Sequence, residues 1–384
     1  MNHTIIHTYL SECSFSGVRK NCIRIISFLL FCIGTLPGGA QKADTLSLLF
    51  VGDLMQHRAQ IEAAQTEKGT YDYSNCFTLI KPELKNNDLT IANLEITFGG
   101  KPYTGYPSFS APDEFLYSIH KAGFNVLTTA NNHCLDRGRH GMERTLNLLD
   151  SLHIAHAGTY RSEKERIQRH PLLIEKRGFR IALLNYTYGT NGIKISPPSI
   201  VNYIDKQQIR KDILRARLMK PDAIIACIHW GIEYHLHPRK EEKELAQWML
   251  RLGVDHIIGS HPHVIQPIQL TADSLKPSQH VIAYSLGNFI SNMSAPQTDG
   301  GLAVKLVLRK VEKKTRLQSC QYAFIWTSRS SLSSNRNFQA YPASIESNSL
   351  NSNEIYHLNK YLRAARSFMK KYSSDLKEYF FTRK

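Results

Sequence analysis

Apolar runs in this chain end, again and again, on residues that can bind metal or move protons. Five segments show it: Leu46-Ser-Leu-Leu-Phe-Val-Gly-Asp53, Leu89-Thr-Ile-Ala-Asn-Leu-Glu95, Phe124 to His133, Ala223-Ile-Ile-Ala-Cys-Ile-His229 and His256 to His263. Each is a continuous β-branched or apolar run between polar flanks, the pattern of a strand buried on both faces. Helical stretches separate them. Ser110-Ala-Pro-Asp-Glu opens one helix and Gly123 stops it; Arg139 to Leu152, Asp205 to Met219 and Arg239 to Leu252, ended by Gly253, are three more. Strands alternating with helices from about residue 45 to 260 predict an α/β fold with crossover connections.

The pattern changes after residue 263. Val264 to Leu270, Val281 to Leu286, Leu302 to Lys310 and Ser319 to Thr327 read as strands of an antiparallel sheet. Residues 328–353, rich in Ser and Asn, read as a linker. From Ile355 onward Leu358, Leu362, Ala365, Met369, Tyr372 and Leu376 recur at spacings of three and four, an amphipathic terminal helix. Such a helix packs on its own domain or lies on a membrane surface. In an open α/β sheet the loops at the carboxyl ends of strands gather around one crevice. The five strand endings therefore converge on a site built from Asp, Glu, Asn and His.

Composition places this pattern in an exported globular protein. The 384 residues, 42% hydrophobic and 21% charged, are enough for a large core. Arg19, Lys20 and Arg24 precede the apolar stretch Ile25 to Leu36, and Pro37-Gly-Gly-Ala40 follows it. That order predicts a signal peptide cleaved after Ala40, leaving a periplasmic or envelope-associated protein. The apolar stretch is shorter than the roughly 20 residues a spanning helix needs. A lipoprotein reading fails because Cys32 lies inside the apolar stretch behind bulky Phe31. Residues 1–17 sit oddly before a signal peptide, and Val18 is a candidate start. The expected organisation is a leader (1–40), a main domain (41–327), the linker (328–353) and the terminal helix (354–384). Cys76, Cys134, Cys227 and Cys320 remain after cleavage without a paired C-x-x-C spacing, and Cys134 and Cys227 read as buried thiols.

The formal charge of +16 is uneven: residues 301–384 carry sixteen Lys and Arg against five Asp and Glu, a net +11, while the leader is only +2. A basic C-terminal region on an exported protein suits an anionic polymer or peripheral contact with lipid headgroups, unless it is simply a solvated face. Nucleic acid is excluded as a partner, because no helix-turn-helix, RNP or zinc-finger pattern accompanies the charge.

The candidate chemistry is a bridging-type carboxylate, an amide oxygen and three imidazoles, a mixed N/O set suited to Zn, Mn or Fe. Two such ions about 3.5–4 Å apart would activate water for attack on phosphorus or a carbonyl carbon. Six of the 17 histidines fall between 229 and 263, two of them as His261-Pro-His263 at a strand end. His235 and His237, in an irregular polar loop, are expected to face solvent, and His57 is expected to do the same unless it supplies a missing ligand.

The motif order Gly52-Asp53, Asn93-Leu-Glu95, Ala130-Asn-Asn-His-Cys-Leu-Asp-Arg-Gly138, His229-Trp-Gly-Ile-Glu-Tyr234, Gly259-Ser-His-Pro-His-Val264 and Ser285-Leu-Gly-Asn-Phe289 resembles the CapA family. These are poly-γ-glutamate capsule synthesis proteins of the calcineurin-like metallophosphatase superfamily. The resemblance covers roughly residues 46–290 and implies a four-layer α/β/β/α sandwich, here with a basic C-terminal extension. It implies Asp53, Glu95, Asn132, His229, His261 and His263 as metal ligands, with His133 catalytic and Asp136 orienting it. The superfamily's first motif is Asp-x-His, and Met55 stands in the histidine's place, a poor ligand for such metals. Glu95 replaces a bridging aspartate. The resemblance so amended implies one tight divalent site of Glu95, Asn132, His229 and His261, and leaves Asp53 and His263 for a second, weaker one. Glu233 reads as either supporting or structural, and Asn288 as lining the cleft. Two functions follow from the resemblance. One is a metal-dependent hydrolase or transferase cutting phosphoester or γ-glutamyl amide bonds, with His133 protonating the leaving group. The other is a non-catalytic accessory factor that binds an anionic capsule polymer alongside other capsule-synthesis proteins.

Overall fold

The structure, a computed structural model, describes residues 45–272, 279–311, 314–333, 337–345 and 349–381. The leader, Val18 and the expected cleavage position after Ala40 lie outside the described residues.

Two mixed sheets form the frame. The first contains β1 (Thr45–Leu54), β2 (Leu89–Leu94), β3 (Val126–Thr128) and β4 (Ala155–Ala157). The short strands β5 (Thr159–Tyr160) and β8 (Ile200–Val201) pair with each other. The second sheet holds β6 (Leu172–Lys176), β7 (Phe179–Thr187), β9 (Ala223–His229), β10 (His256–Ser260), β11 (Ile268–Ala272) and β12 (Gln279–Ala283). The last strands, β13 (Asn288–Ile290), β14 (Gly300–Val311), β15 (Lys314–Ser328), β16 (Gln339–Pro342) and β17 (Lys377–Glu378), all join the first sheet. Its order is β16-β15-β14-β1-β2-β3-β4, with β13 beside β1 and β17 beside β15; the second runs β11-β12-β10-β9-β7-β6.

Side-chain alternation explains why these strands are apolar throughout. Leu46, Leu48 and Phe50 of β1 point into the core between the sheets, while Leu49 and Val51 point into the core on the other face. β9 does the same: Ala223, Ile225 and Cys227 face the first sheet, and Ile224, Ala226 and Ile228 the outer helices. A strand covered on both faces has no polar side to present, so the run is continuous.

Eight helices occur among the described residues: α1 (Arg58–Ala64), α2 (Lys81–Lys85), α3 (Asp113–Ala122), α4 (Gly138–Ser151), α5 (Glu163–Arg169), α6 (Lys206–Leu218), α7 (Lys240–Leu252) and α8 (Ser352–Tyr372). Phe115, Leu116 and Ile119 of α3 and Leu146 and Leu149 of α4 pack on the first sheet. Ile209 and Ile213 of α6 and Leu245 and Met249 of α7 pack on the second. The stops are where glycine predicts them: Gly123 and Gly253 close α3 and α7 at φ 114° and 107°, a left-handed geometry that costs glycine nothing. No described helix is long and apolar enough to cross a membrane.

The strands beyond residue 263 do not form one antiparallel sheet. β11 and β12 are a hairpin on the second sheet, where β12 also runs parallel to β10, whereas β14 and β15 are a hairpin on the first. Local pattern fixed both hairpins, but which sheet each joins depends on long-range packing. β14 docks antiparallel on β1 because Leu302, Val304, Leu306 and Leu308 complete the core between the sheets. The stretch read as a linker also carries structure: β16 lies in it and pairs with β15.

The terminal helix packs inward. Asn351 and Glu354 form a capping box at its start, and Leu358, Tyr361, Leu362, Ala365, Phe368 and Met369 join the core between the sheets. Lys360, Arg363, Arg366, Lys370 and Lys371 are left on the exposed face. Met369→Ala should therefore cost about 2–5 kcal/mol, the usual range for emptying a buried site of this size. A denaturation midpoint unchanged by that substitution would show that α8 is only peripherally attached.

Candidate metal centre

The sheets deliver their chemistry at one edge. Asp53 lies near the carboxyl end of β1, opposite Asn93 of parallel β2 and Asn288 of parallel β13. Glu95 follows β2, and the segment 129–136 that follows β3 carries Asn131, Asn132, His133 and Asp136. His229 ends β9 in register with Ser260, the last residue of β10, and His261 and His263 come directly after it. All six expected ligands are buried at 0–3% exposure.

Two constraints of the backbone hold this edge together. At Gly52 a Cβ would sit 2.1 Å from the carbonyl oxygen of Gly287, so only glycine lets β1 approach that segment and lets the Asp53 N–H donate to the same oxygen at 2.9 Å. At Gly259 a Cβ would meet the Tyr284 carbonyl oxygen at 1.9 Å. Beyond it His261 and His263 have φ values of 97° and 58°, a region that side-chain-bearing residues seldom enter. Strain of this kind concentrates at functional sites and persists only where the surroundings enforce it. Here the Tyr234 N–H donates to the Pro262 carbonyl at 2.8 Å and pins the turn.

The side chains form one interlocked cluster. Asn93 Nδ2 donates to Asp53 Oδ1 at 2.8 Å and to Glu95 Oε2 at 3.1 Å. His229 Nε2 lies 2.8 Å from Asn132 Oδ1 and 3.5 Å from Glu95 Oε1, and its Nδ1 is 2.9 Å from Ser260 Oγ. His263 Nδ1 lies 3.1 Å from Asn288 Oδ1 and 3.2 Å from Asp53 Oδ2, and its Nε2 is 3.6 Å from Glu95 Oε1. His261 packs its ring 4.7 Å from that of His229, and exposed Tyr188 lies over both. Ligand atoms of Glu95, His261 and His263 fall within 4.8 Å of one another, and so do those of Asp53, Glu95 and His229. Glu95 belongs to both sets.

Three buried atoms in this cluster have no hydrogen-bond partner: Asp53 Oδ2, Glu95 Oε1 and His261 Nδ1. The His263 contact reaches Asp53 Oδ2 at ion-pair distance but without hydrogen-bond geometry. An orphaned buried polar group costs about 1–3 kcal/mol, more when charged, and the three in this cluster are donor atoms that a cation could satisfy. The electrostatics agree. Burial, then the neighbouring Asp53 carboxylate, pushes Glu95 well above its usual range. Burial raises Asp53 as well, but the contact with His263 and the charges of His263 and His229 prevail and hold it below the usual value. Burial drives His229 down to about 3, and burial with the neighbouring imidazoles takes His261 well below its ordinary value. Neutral imidazoles beside carboxylates, sealed from water, are the donor set that a divalent first-row metal fits.

Beside the cluster stands a second pair of buried polar side chains. His133 Nδ1 is 2.8 Å from Asp136 Oδ2, which also accepts the Phe109 N–H at 2.7 Å. Burial raises the Asp136 carboxyl, with the His133 hydrogen bond opposing it. The Phe109 ring sits edge-on to His133 at 4.6 Å.

Other expected positions resolve differently. His57 does not face solvent. It is half-buried, 5.2 Å edge-on to Phe109, its Nδ1 is 3.3 Å from the Asn292 N–H, and burial drives it down to about 4. Met55 is buried in the core and not turned into the ligand cluster. His237 is exposed but packs 4.6 Å from the Tyr372 ring of α8, while His235 is exposed. Glu233 is half-buried, and Asn288 reaches His263. The reading of single motifs missed the orienting amides. Asn93 was findable, because two residues before Glu95 on an extended chain puts it on the same side. Asn131 donates to Leu94 O at 2.7 Å and accepts the His133 N–H at 3.1 Å. Asn191, 3.3 Å from Asn132, sits in a loop with no sequence signal.

Two substitutions test the cluster. Because Glu95 serves both sets, Glu95→Ala should strip metal more completely than Asp53→Ala or His229→Ala, as read by elemental analysis of purified protein. Asn93→Ala, removing an orienting amide, should weaken metal affinity by about 10–100-fold. Retention of full metal by the Glu95 variant would contradict the arrangement.

Residues 47–293 match the family described as Bacterial capsule synthesis protein PGA_cap. Among curated proteins, the chain is 29% identical over 286 residues to the capsule biosynthesis protein CapA of Bacillus anthracis, covering 71% of this chain and 66% of that one. It is likewise 29% identical over 290 residues to the PGA biosynthesis protein CapA of Bacillus subtilis, covering 70% and 69%. The chain thus spans about two thirds of the length of these relatives. Among solved structures it is similar to a putative 5'-nucleotidase from Staphylococcus aureus in complex with alpha-ketoglutarate, at 14% identity and TM-score 0.45 over 83% of this chain and 58% of that one. The calcineurin-like phosphoesterase YfkN from Bacillus subtilis is similar at 12% identity and TM-score 0.41, over 86% and 99%. The family match covers well over half of the chain, which belongs to the bacterial capsule synthesis protein family PGA_cap.

Proposed function

We propose that this protein is an exported, metal-dependent hydrolase or transferase of capsule or envelope polymer biosynthesis, acting on phosphoester or γ-glutamyl amide bonds. The observation that carries the reading is the His133–Asp136 pair, 2.8 Å apart beside a buried carboxylate–imidazole cluster. A site that only holds metal for stability needs the ligands but not an oriented imidazole beside them. The capsule role follows the likeness to the capsule and PGA biosynthesis proteins of the two Bacillus species.

Glu95, shared by both donor sets, would hold divalent metal with His261 and His263 in one and with Asp53 and His229 in the other, and Asn132 beside His229 would add an amide oxygen. Such an ion supplies Lewis acidity and lowers the pKa of a water to near neutrality. The chain's own residues do the rest. Asp136 accepts from Nδ1 of His133, fixing the ring so that Nε2 carries the proton to the leaving group. Asn131 holds the His133 backbone, and Tyr188 shields His229 and His261 from water. His133→Ala should keep metal and fold yet lose about 10²–10⁴ of the turnover, a general acid's usual share. The assay is metal-loaded protein on an activated phosphodiester and a γ-glutamyl peptide. Full metal with full turnover in that variant would end the hydrolase reading.

One observation favours an accessory role in polymer binding: the exposed Lys and Arg face of α8. If that role is the main one, His133→Ala leaves capsule production unaltered. Charge reversal at Lys360, Arg363 and Lys370 then weakens binding of an anionic polymer, most at low salt. Export rests on the order of residues 19–40, and N-terminal sequencing should find a chain that begins after Ala40. A mature chain that retains Ile25 to Leu36 would exclude it.

A further inference from the structure

We propose that Arg329, with His57 beside it, forms an oxyanion subsite at the edge of the metal centre, taking a phosphoryl or carboxylate group of the substrate. The proposal rests on the hydrolase or transferase reading above and gives its substrate a negative charge close to the bond that is cut.

Topology places the residue. β15 is antiparallel to β14, which is antiparallel to β1, so β15 runs in the direction of β1. Its carboxyl end at Ser328 therefore opens on the edge where Asp53 lies, and Arg329 is the next residue. Contacts then tie it to the cluster. The guanidinium donates to the Met293 carbonyl oxygen. Asn288 Nδ2 lies 3.5 Å from Met293 Sδ, and Asn288 Oδ1 lies 3.1 Å from Nδ1 of His263. The neighbouring Asn292 N–H meets His57 Nδ1 at 3.3 Å, so His57 and Arg329 are held by adjacent residues of one segment.

The chemistry is that of a receptor for an anion. Arg329 is half-buried, and among the described residues no carboxylate lies within ion-pair distance of it. Asp299, the acid whose charge it feels, accepts from Trp326 Nε1 at 3.3 Å. A partly desolvated guanidinium without a carboxylate, anchored through one nitrogen, retains donors for a planar or tetrahedral oxyanion. Placed next to the ligand cluster, it would hold a charged group of the substrate while the bond beside it reacts.

The test is calorimetric binding of two probes, inorganic phosphate and glutarate, to protein of measured metal content. Wild type should bind at least one, with affinity that falls as salt rises. Arg329→Met should weaken that binding at least tenfold and flatten the salt dependence without changing metal content, and Arg329→Lys should recover part of it. A response confined to phosphate assigns the subsite to phosphoryl groups, and one confined to glutarate assigns it to carboxylates. Should the Met variant not fold, Arg329→Gln, which keeps a donor for the Met293 carbonyl but not the charge, is read in the same way. Equal binding by wild type and the charge-removed variant at equal metal content overturns the proposal, as does no binding of either probe by wild type. Since turnover is not measured, loss of the hydrolase reading through His133→Ala leaves this result interpretable by itself.

Discussion

Two carboxylates buried together dominate this molecule. Asp53 and Glu95 are sealed from water and bridged by one amide, Asn93 Nδ2, each with an oxygen that nothing satisfies. Like charges this close in a low-dielectric site cannot both remain ionised without a counter-charge, and Glu95 responds by shifting well upward. Burial presses His229 and His261 toward neutrality, and His263 Nδ1 lies 3.2 Å from Asp53 Oδ2. A cation held by these groups would supply the counter-charge. The surrounding fold serves to bring these groups to one edge and keep them there.

Convergence on that edge needs backbones to approach closer than side chains permit. Gly52 and Gly259 stand where a Cβ would strike a carbonyl oxygen of a neighbouring segment. The left-handed His261 and His263 show the cost on the second sheet, where two ligands must leave a strand end within three residues. Both features lie in the two sheets at the point where they face each other. Rigid strands below and a strained turn above hold ligands to fixed positions, which a flexible loop would not do.

Neighbouring side chains of the segment after β3 face different partners. His133 follows Asn132 in sequence, yet its ring is turned to Asp136 and Phe109 while Asn132 is turned to His229. Under the proposed function Asn132 would hold the cation and His133 would move the proton. Asn131 makes the division possible by fixing the turn between them through Leu94 and the His133 N–H. Arg329 extends the same site toward solvent from the far end of β15.

The sequence alone determined the parts of this protein that depend on short-range pattern. Continuous apolar runs ended at Asp53, Glu95, His229 and His263, and those positions are the carboxyl edge of the sheets. Gly123 and Gly253 stopped their helices, and spacings of three and four found α8. Tertiary structure decided what pattern cannot carry. The strands after residue 263 were divided between two sheets, and β13 was set against β1 opposite Asp53, because each hairpin buries its apolar face where the core has room. His57, expected at the surface, was folded against Phe109, and Arg329, the residue after a strand, was bound to the Met293 carbonyl of the segment that also meets His57. Local periodicity fixes which face of an element is buried. Which other element covers it, and which distant polar group it meets there, is settled only by long-range packing.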